Sequence, residues 1–351
     1  MKKKHKGLVI ALTVVLSLGV IYFGGGLLGP TIAFNAIFSR RLSTPETLHE
    51  DIYQVYKTRS DYPALTNREE YEFEGRHDRL VCYYYQIDEN MPTVLCAHGM
   101  SSLSDGREAA LENYFVSKGI NVLALDLSSS GKSGGTNIEG FHRGMEDVID
   151  CVSFFRTQKN NPDLPFILMG YSWGGYAAAS SLSYLDHILG CITFLAFNKA
   201  DEMMFETAKS NVGFLADLTK PMFYLSAKMY YGEKLNDNGI QGLSSKPSLK
   251  SLHFHGTDDT RVLPKVSLIE AIKEHLEISA KSVYLDRYTH ELPWFSRNSI
   301  EEGHQILTSL DGKTESEKQA IYSQVDKNKT SEMNPEVLDE LDHYLSALLD
   351  E

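Results

Sequence analysis

Hydrophobic positions change their spacing several times along this chain, and each change marks an element. Gly7 to Ser39 carry no charge and are most apolar between Leu8 and Leu28. As a helix rising about 1.5 Å per residue, that run covers roughly 30 Å, the depth of a bilayer's hydrocarbon core. Residues 30–70 read as a helical connector, with turn signals around Asp61, Tyr62 and Pro63. From about residue 71 the period shortens. Apolar runs at Leu80–Gln86, Thr93–Ala97, Asn121–Asp126, Phe166–Gly170, Cys191–Phe197, Ser251–His255 and Ser282–Asp286 predict strands. Amphipathic stretches at 106–118, 141–158, 174–185 and 264–278 predict helices between them. Such alternation predicts an α/β fold, a mainly parallel sheet with helices on both faces. Residues 198–248 break the rhythm with helix-like runs and no clear strand, and read as an insertion forming a lid over one end of the sheet. The polar stretch 311–334 reads as an exposed loop. Asn334 and Pro335 then open a helix with Leu338, Leu341, Leu345 and Leu348 on one face.

A composition 42% hydrophobic, 23% charged and 11% aromatic belongs to a folded protein. The 34 basic and 47 acidic side chains leave a net charge of −13. Setting aside Lys2, Lys3, Lys4 and Lys6 leaves 30 against 47, or −17 for the rest. An acidic domain argues against nucleic-acid partners, which need basic stripes for counterion release. The lysines precede the apolar run, so they predict a cytoplasmic N-terminus and an extracytoplasmic remainder. Residues 1–29 thus read as a membrane anchor, a transmembrane helix. The alternative is a cleaved signal peptide and a secreted protein, with Gly24 and Gly26 as small residues before the cut; the length of the run favours the anchor. Gly24, Gly26 and Gly29 spell a dinucleotide fingerprint without its strand–turn–helix setting and are set aside. Gly25 and Gly29 form a weak helix-pairing motif. Cys82, Cys96, Cys151 and Cys191 have no metal-ligand spacing, and read as buried filler.

The strongest chemical signal is Gly170-Tyr171-Ser172-Trp173-Gly174. An apolar strand enters it and a small-residue helix leaves it. So sharp a turn strains the central residue and lifts its hydroxyl above the sheet edge, and glycines two positions either side remove the clashes. Here the chain resembles the α/β-hydrolase family of serine hydrolases over residues 71–351, and most resembles bacterial membrane-anchored or exported esterase-like members with a helical lid. The resemblance implies an eight-stranded, mostly parallel sheet and a triad in the order nucleophile, acid, histidine.

Carried onto this sequence, the resemblance makes Ser172 the nucleophile. His98-Gly99-Met100 matches the family's oxyanion turn, which implies the backbone N–H groups of Met100 and Trp173 as oxyanion donors, with His98 structural. His255-Gly256-Thr257-Asp258-Asp259 matches the family's acid segment, whose spacing selects Asp259 over Asp258. His290, four residues past a predicted strand, stands where the family keeps its base; His304, in Glu-Glu-Gly-His-Gln, competes with it. Asp126-Leu-Ser-Ser-Ser-Gly131-Lys132-Ser133 ends like a phosphate loop, but Asp126 occupies the required glycine's place, so no nucleotide is expected.

The expected chemistry is acyl transfer through an acyl-enzyme, without metal or organic cofactor. Met203, Met204, Phe205, Phe214, Leu215, Met222, Phe223, Met229, Tyr230 and Tyr231 make the insertion apolar, which suits either an acyl pocket or the packing of small helices on themselves. The expected partner is a small ester or acyl substrate. The alternatives are a serine peptidase or thioesterase of the same fold, or a non-catalytic, membrane-tethered binding protein.

Overall fold

The computed structural model describes residues 44–349 except 101, together with positions 17, 19, 24, 25, 28, 29, 32 and 38. The predicted anchor falls largely outside these residues. Among the described residues no helix is long and apolar enough to cross a membrane.

Eight strands form one sheet: β1 (Glu69–Glu74), β2 (Arg79–Tyr85), β3 (Thr93–Ala97), β4 (Asn121–Asp126), β5 (Phe166–Tyr171), β6 (Ile188–Phe194), β7 (Lys250–Gly256) and β8 (Ala280–Leu285). Their order is β1-β2-β4-β3-β5-β6-β7-β8. β1 and β2 pair antiparallel, as do β2 and β4, and every other neighbour is parallel. The helices are α1 (Asp51–Val55), α2 (Ala109–Ser117), α3 (His142–Gln158), α4 (Trp173–Ser181), α5 (Ala200–Val212), α6 (Phe214–Tyr231), α7 (Gly239–Ser244), α8 (Leu268–Ile272), α9 (Arg297–Ser309), α10 (Glu315–Tyr322), α11 (Lys327–Thr330) and α12 (Pro335–Leu349).

The strand β5 shows why both faces are covered. Every residue in it is buried, and successive side chains serve opposite cores. Phe166 and Leu168 join a cluster with Phe155, Tyr176 and Cys191, whereas Ile167 and Met169 join one with Tyr83, Phe194 and Trp294. Each such aliphatic or aromatic side chain contributes about 1.5–3 kcal/mol through burial.

Four expectations need correction. β1 escaped the pattern because Glu-Glu-Tyr-Glu-Phe-Glu is an edge strand with only Phe73 buried. β6 runs Ile188–Phe194, starting three residues earlier, and Leu195 to Phe197 are buried beyond its end. The stretch 311–334 holds α10 and α11 and docks through polar contacts. Lys318 and Tyr322 bind Asp51, Lys327 pairs with Asp61 at 3.0 Å, and Thr330 Oγ1 donates to the Val55 carbonyl at 2.6 Å. Apolar periodicity is blind to packing of this kind. The connector is helical only in short turns, and Tyr53, Val55 and Tyr56 bury themselves beneath this seam.

Between β6 and β7 stand α5, α6 and α7. Tyr231, at the end of α6, lies where a Cβ on Gly140 would come within 2.0 Å of it, and its ring meets His142 and Phe38 edge-on at 5.5 and 6.4 Å. Lys234 pairs with the buried Glu146 of α3 at 2.7 Å. These contacts pin the end of α6 to the core, where Ala200, Met204 and Phe205 of α5 are also buried.

Candidate active site

The turn from β5 into α4 is forced by its sequence. A Cβ on Gly170 would lie 2.1 Å from the Gly174 carbonyl oxygen, and one on Gly174 would lie 2.1 Å from that of Ala97. Ser172 between them adopts φ 53°, ψ −111°, a conformation costing on the order of 1–3 kcal/mol in a non-glycine residue. The cost is met locally: Ser172 N–H donates to Phe194 O at 2.8 Å, and its carbonyl accepts from Tyr176 N–H at 3.0 Å.

Two further loops at the same edge of the sheet bring their side chains to this hydroxyl. His290 follows β8 and is buried; its Nε2 lies 2.9 Å from Ser172 Oγ. Its Nδ1 lies 2.8 Å from Asp259 Oδ2, in the turn after β7. The other Asp259 oxygen accepts the Arg261 and Val262 N–H groups at 2.8 and 2.9 Å. With that carboxylate accepting, Nδ1–H must donate, which leaves Nε2 free to accept the serine proton. Asp258 instead points outward toward Thr257. His304 lies in α9, half exposed, with its ring 3.4 Å from Glu291; it lines a surface cleft of about 690 Å³ with Arg287 and Arg297.

Met100 follows the turn out of β3. Trp173 is the first residue of α4, so its N–H has no acceptor within the helix. The indole of Trp173 is fully buried and donates to Phe141 O at 2.7 Å, which fixes the main chain beside Ser172. Both nitrogens of His98 are committed: Nε2 accepts Leu127 N–H at 3.1 Å and Nδ1 bonds Gly99 O at 2.8 Å. Lys132 N–H donates to the Asp126 carboxylate at 2.9 Å, and a Cβ on Gly131 would lie 1.9 Å from it. The loop that resembles a phosphate cradle is therefore wrapped around its own acid.

Two neighbours of the triad carry no catalytic letter in the motifs. Tyr171 was only the variable letter between Gly170 and Ser172. Its hydroxyl donates to the His290 carbonyl at 2.5 Å, its ring lies 5.5 Å from the imidazole, and a Cβ on Gly99 would sit 2.6 Å from it. Burial pushes the phenol's pKa up, so it stays a donor. One side chain thus ties the serine, histidine and oxyanion loops together. His255, noted only as a motif letter, lies 3.9 Å from Asp259, with Nε2 bonded to Val262 O at 3.1 Å. Desolvation lowers its pKa and favours the neutral ring. Its signal was the motif itself; that of Tyr171 lay beyond local sequence.

Comparison with known proteins agrees with this architecture. Residues 88–248 match the family model described as serine aminopeptidase, S33. An α/β hydrolase from Vibrio vulnificus superposes with a TM-score of 0.52 at 18% identity, over 79% of this chain and 92% of that one. The chain has the α/β-hydrolase fold. An esterase from Pyrococcus furiosus, 16% identical, gives a TM-score of 0.47 over 66% of this chain and 86% of its own. The multifunctional-autoprocessing repeats-in-toxin protein of Vibrio cholerae is 29% identical over 121 residues, 32% of this chain. The chain spans about 3% of the length of that relative and of its Vibrio vulnificus counterpart.

Proposed function

We propose that this protein cleaves carboxylic esters through a Ser172–His290–Asp259 triad and an acyl-enzyme. The observation that carries this reading is the continuous hydrogen-bond line from Ser172 Oγ through both imidazole nitrogens to Asp259, at 2.9 and 2.8 Å. His290 Nε2 takes the hydroxyl proton as Oγ attacks the acyl carbon, and Asp259 holds the imidazolium. The carbonyl oxygen becomes an oxyanion, received by the N–H groups of Met100 and Trp173; such a donor is worth about 3–4 kcal/mol. Collapse breaks the C–O bond, and His290 returns its proton to the departing alkoxide. Water then repeats the sequence on the acyl-serine and releases the acid. Residues 8–28 are read as the anchor, with the catalytic domain outside the cytoplasmic membrane.

A second reading, serine aminopeptidase, is favoured by the description of the matching family model. It uses the same triad with an amine as leaving group. The test is a fluorophosphonate probe, followed by p-nitrophenyl esters of graded acyl length set against aminoacyl p-nitroanilides. Labelling of wild type that disappears in Ser172→Ala, with esters turned over faster than anilides, is the expected result. Faster anilide cleavage would transfer the assignment to peptides. A folded protein that the probe never labels would leave the non-catalytic binding protein.

A further inference from the structure

Helix α6 is amphipathic twice over. Ala216, Phe223, Ala227 and Tyr231 recur at helical spacing and are buried against the rest of the protein. A second set, Phe214, Leu218, Leu225 and Met229, recurs at the same period on another face, and these are 72, 58, 44 and 74% exposed. With the half-exposed Leu215 beside it, this stripe runs along about 23 Å of helix.

We propose that the outer stripe of α6 beds into the surface of the lipid bilayer that holds the N-terminal segment. The proposal rests on the reading of Leu8–Leu28 as a bilayer span and not on the ester chemistry. Reach favours lipid. Phe38 is buried against Tyr231, the last residue of α6, and Phe141. Ten residues separate Leu28 from Phe38. A chain extends at most about 3.3–3.6 Å per residue, so the span's outer end lies within about 36 Å of α6, whatever path the chain takes. An apolar stripe tethered so closely to a bilayer meets it at high effective concentration. A second copy of the chain fits the stripe less well. A single ridge about 23 Å long and 10 Å wide offers roughly 230 Å², against about 800 Å² per partner in a stable complex. An in-plane helix needs no such area, because its apolar face is buried directly in the acyl boundary.

The test uses the full chain reconstituted in vesicles, with single cysteines placed along α6 and labelled with bimane. Cys82, Cys96, Cys151 and Cys191 are all buried, so the new thiol is the one labelled. The vesicles carry lipids with a nitroxide high on the acyl chain. The expected result is strong quenching at Phe214→Cys, Leu218→Cys, Leu225→Cys and Met229→Cys, and little at Asp217→Cys, Lys220→Cys and Lys228→Cys. Failure of the full chain to float with vesicles would overturn the anchor and this proposal with it, leaving the hydrolase reading untouched. Flotation without quenching that recurs at helical period would overturn the docking of α6 alone. Cross-links between copies through Leu225→Cys, without quenching, would assign the stripe to a dimer instead.

Discussion

At Gly174 an added methyl would lie 2.1 Å from the Ala97 carbonyl oxygen, whereas along the outer face of α6 the side chains of Phe214 and Met229 stand almost three-quarters exposed. Both regions belong to one chain and flank the same edge of one sheet. The elbow is over-determined: backbone meets backbone from β3, β5 and α4, and no neighbour can yield. The insertion is fastened along its inner side, by Ala200, Met204 and Phe205 in the core and by Tyr231 under Gly140 and Lys234 on Glu146. Its outer face stands exposed to solvent. Strain such as that at Ser172 persists only where surroundings are rigid, and surfaces that meet other bodies belong where they are not.

That contrast can be attacked at several points. His290→Ala should lower kcat/KM by at least about 10³-fold, while His304→Ala, out on the exposed helix, leaves it unchanged; steady-state kinetics on one ester decide. Equal losses would mean that the rigid edge does not select the base. Gly174→Ala should cost about 3 kcal/mol or more, and Leu225→Gln less than about 0.5 kcal/mol, both read from urea melts. Comparable costs would erase the distinction between the regions.

A finer probe is Tyr171→Phe, which keeps the ring and removes the bond to the His290 carbonyl. A hydrogen bond worth about 1 kcal/mol implies roughly a fivefold fall in kcat. KM should hold, since Tyr171 is buried behind the triad. A fall in KM-linked binding alone would show that it shapes the pocket rather than the histidine loop.

A pH effect lies where the insertion meets α3. Burial lowers the pKa of His142 from 6.5 to about 4, with Glu146 raising it and Lys234 lowering it. The unfolded chain therefore binds a proton between pH 6.5 and 4 that the folded chain refuses, and stability contributed by the neutral ring is lost as pH falls through that window. Asp147 opposes this: burial raises it from 3.8 to about 7, so the folded state gains a proton first as pH falls. In thermal melts from pH 7 to 4, His142→Gln should gain stability relative to wild type as pH falls from 6.5 to 4, because it lacks the proton that the unfolded chain alone takes up. Parallel slopes would remove His142 from that acid response.

Much of the edge was legible early. Strand alternation needs only neighbours at two-residue spacing, and the elbow needs only glycines two positions from a serine with a strand before it. β1 was hidden because an edge strand with one buried side has little apolar signal. The helices α10 and α11 were hidden because Lys318, Lys327 and Thr330 dock by charge and hydrogen bond. Cys82 and Cys191 read as filler, and both are fully buried.

Sterics acting over a few residues are written in local order, so the β5–α4 turn and the α/β alternation could be read from the chain. Three other features could not. His290 meets Ser172 from 118 positions away, Tyr171 finds the carbonyl of that same histidine, and α6 buries one apolar face while presenting the other. Each depends on which loops the sheet order brings to a common edge and which surface is left over after packing. Those are properties of the assembled fold, because convergence and exposure arise only when distant segments compete for the same space.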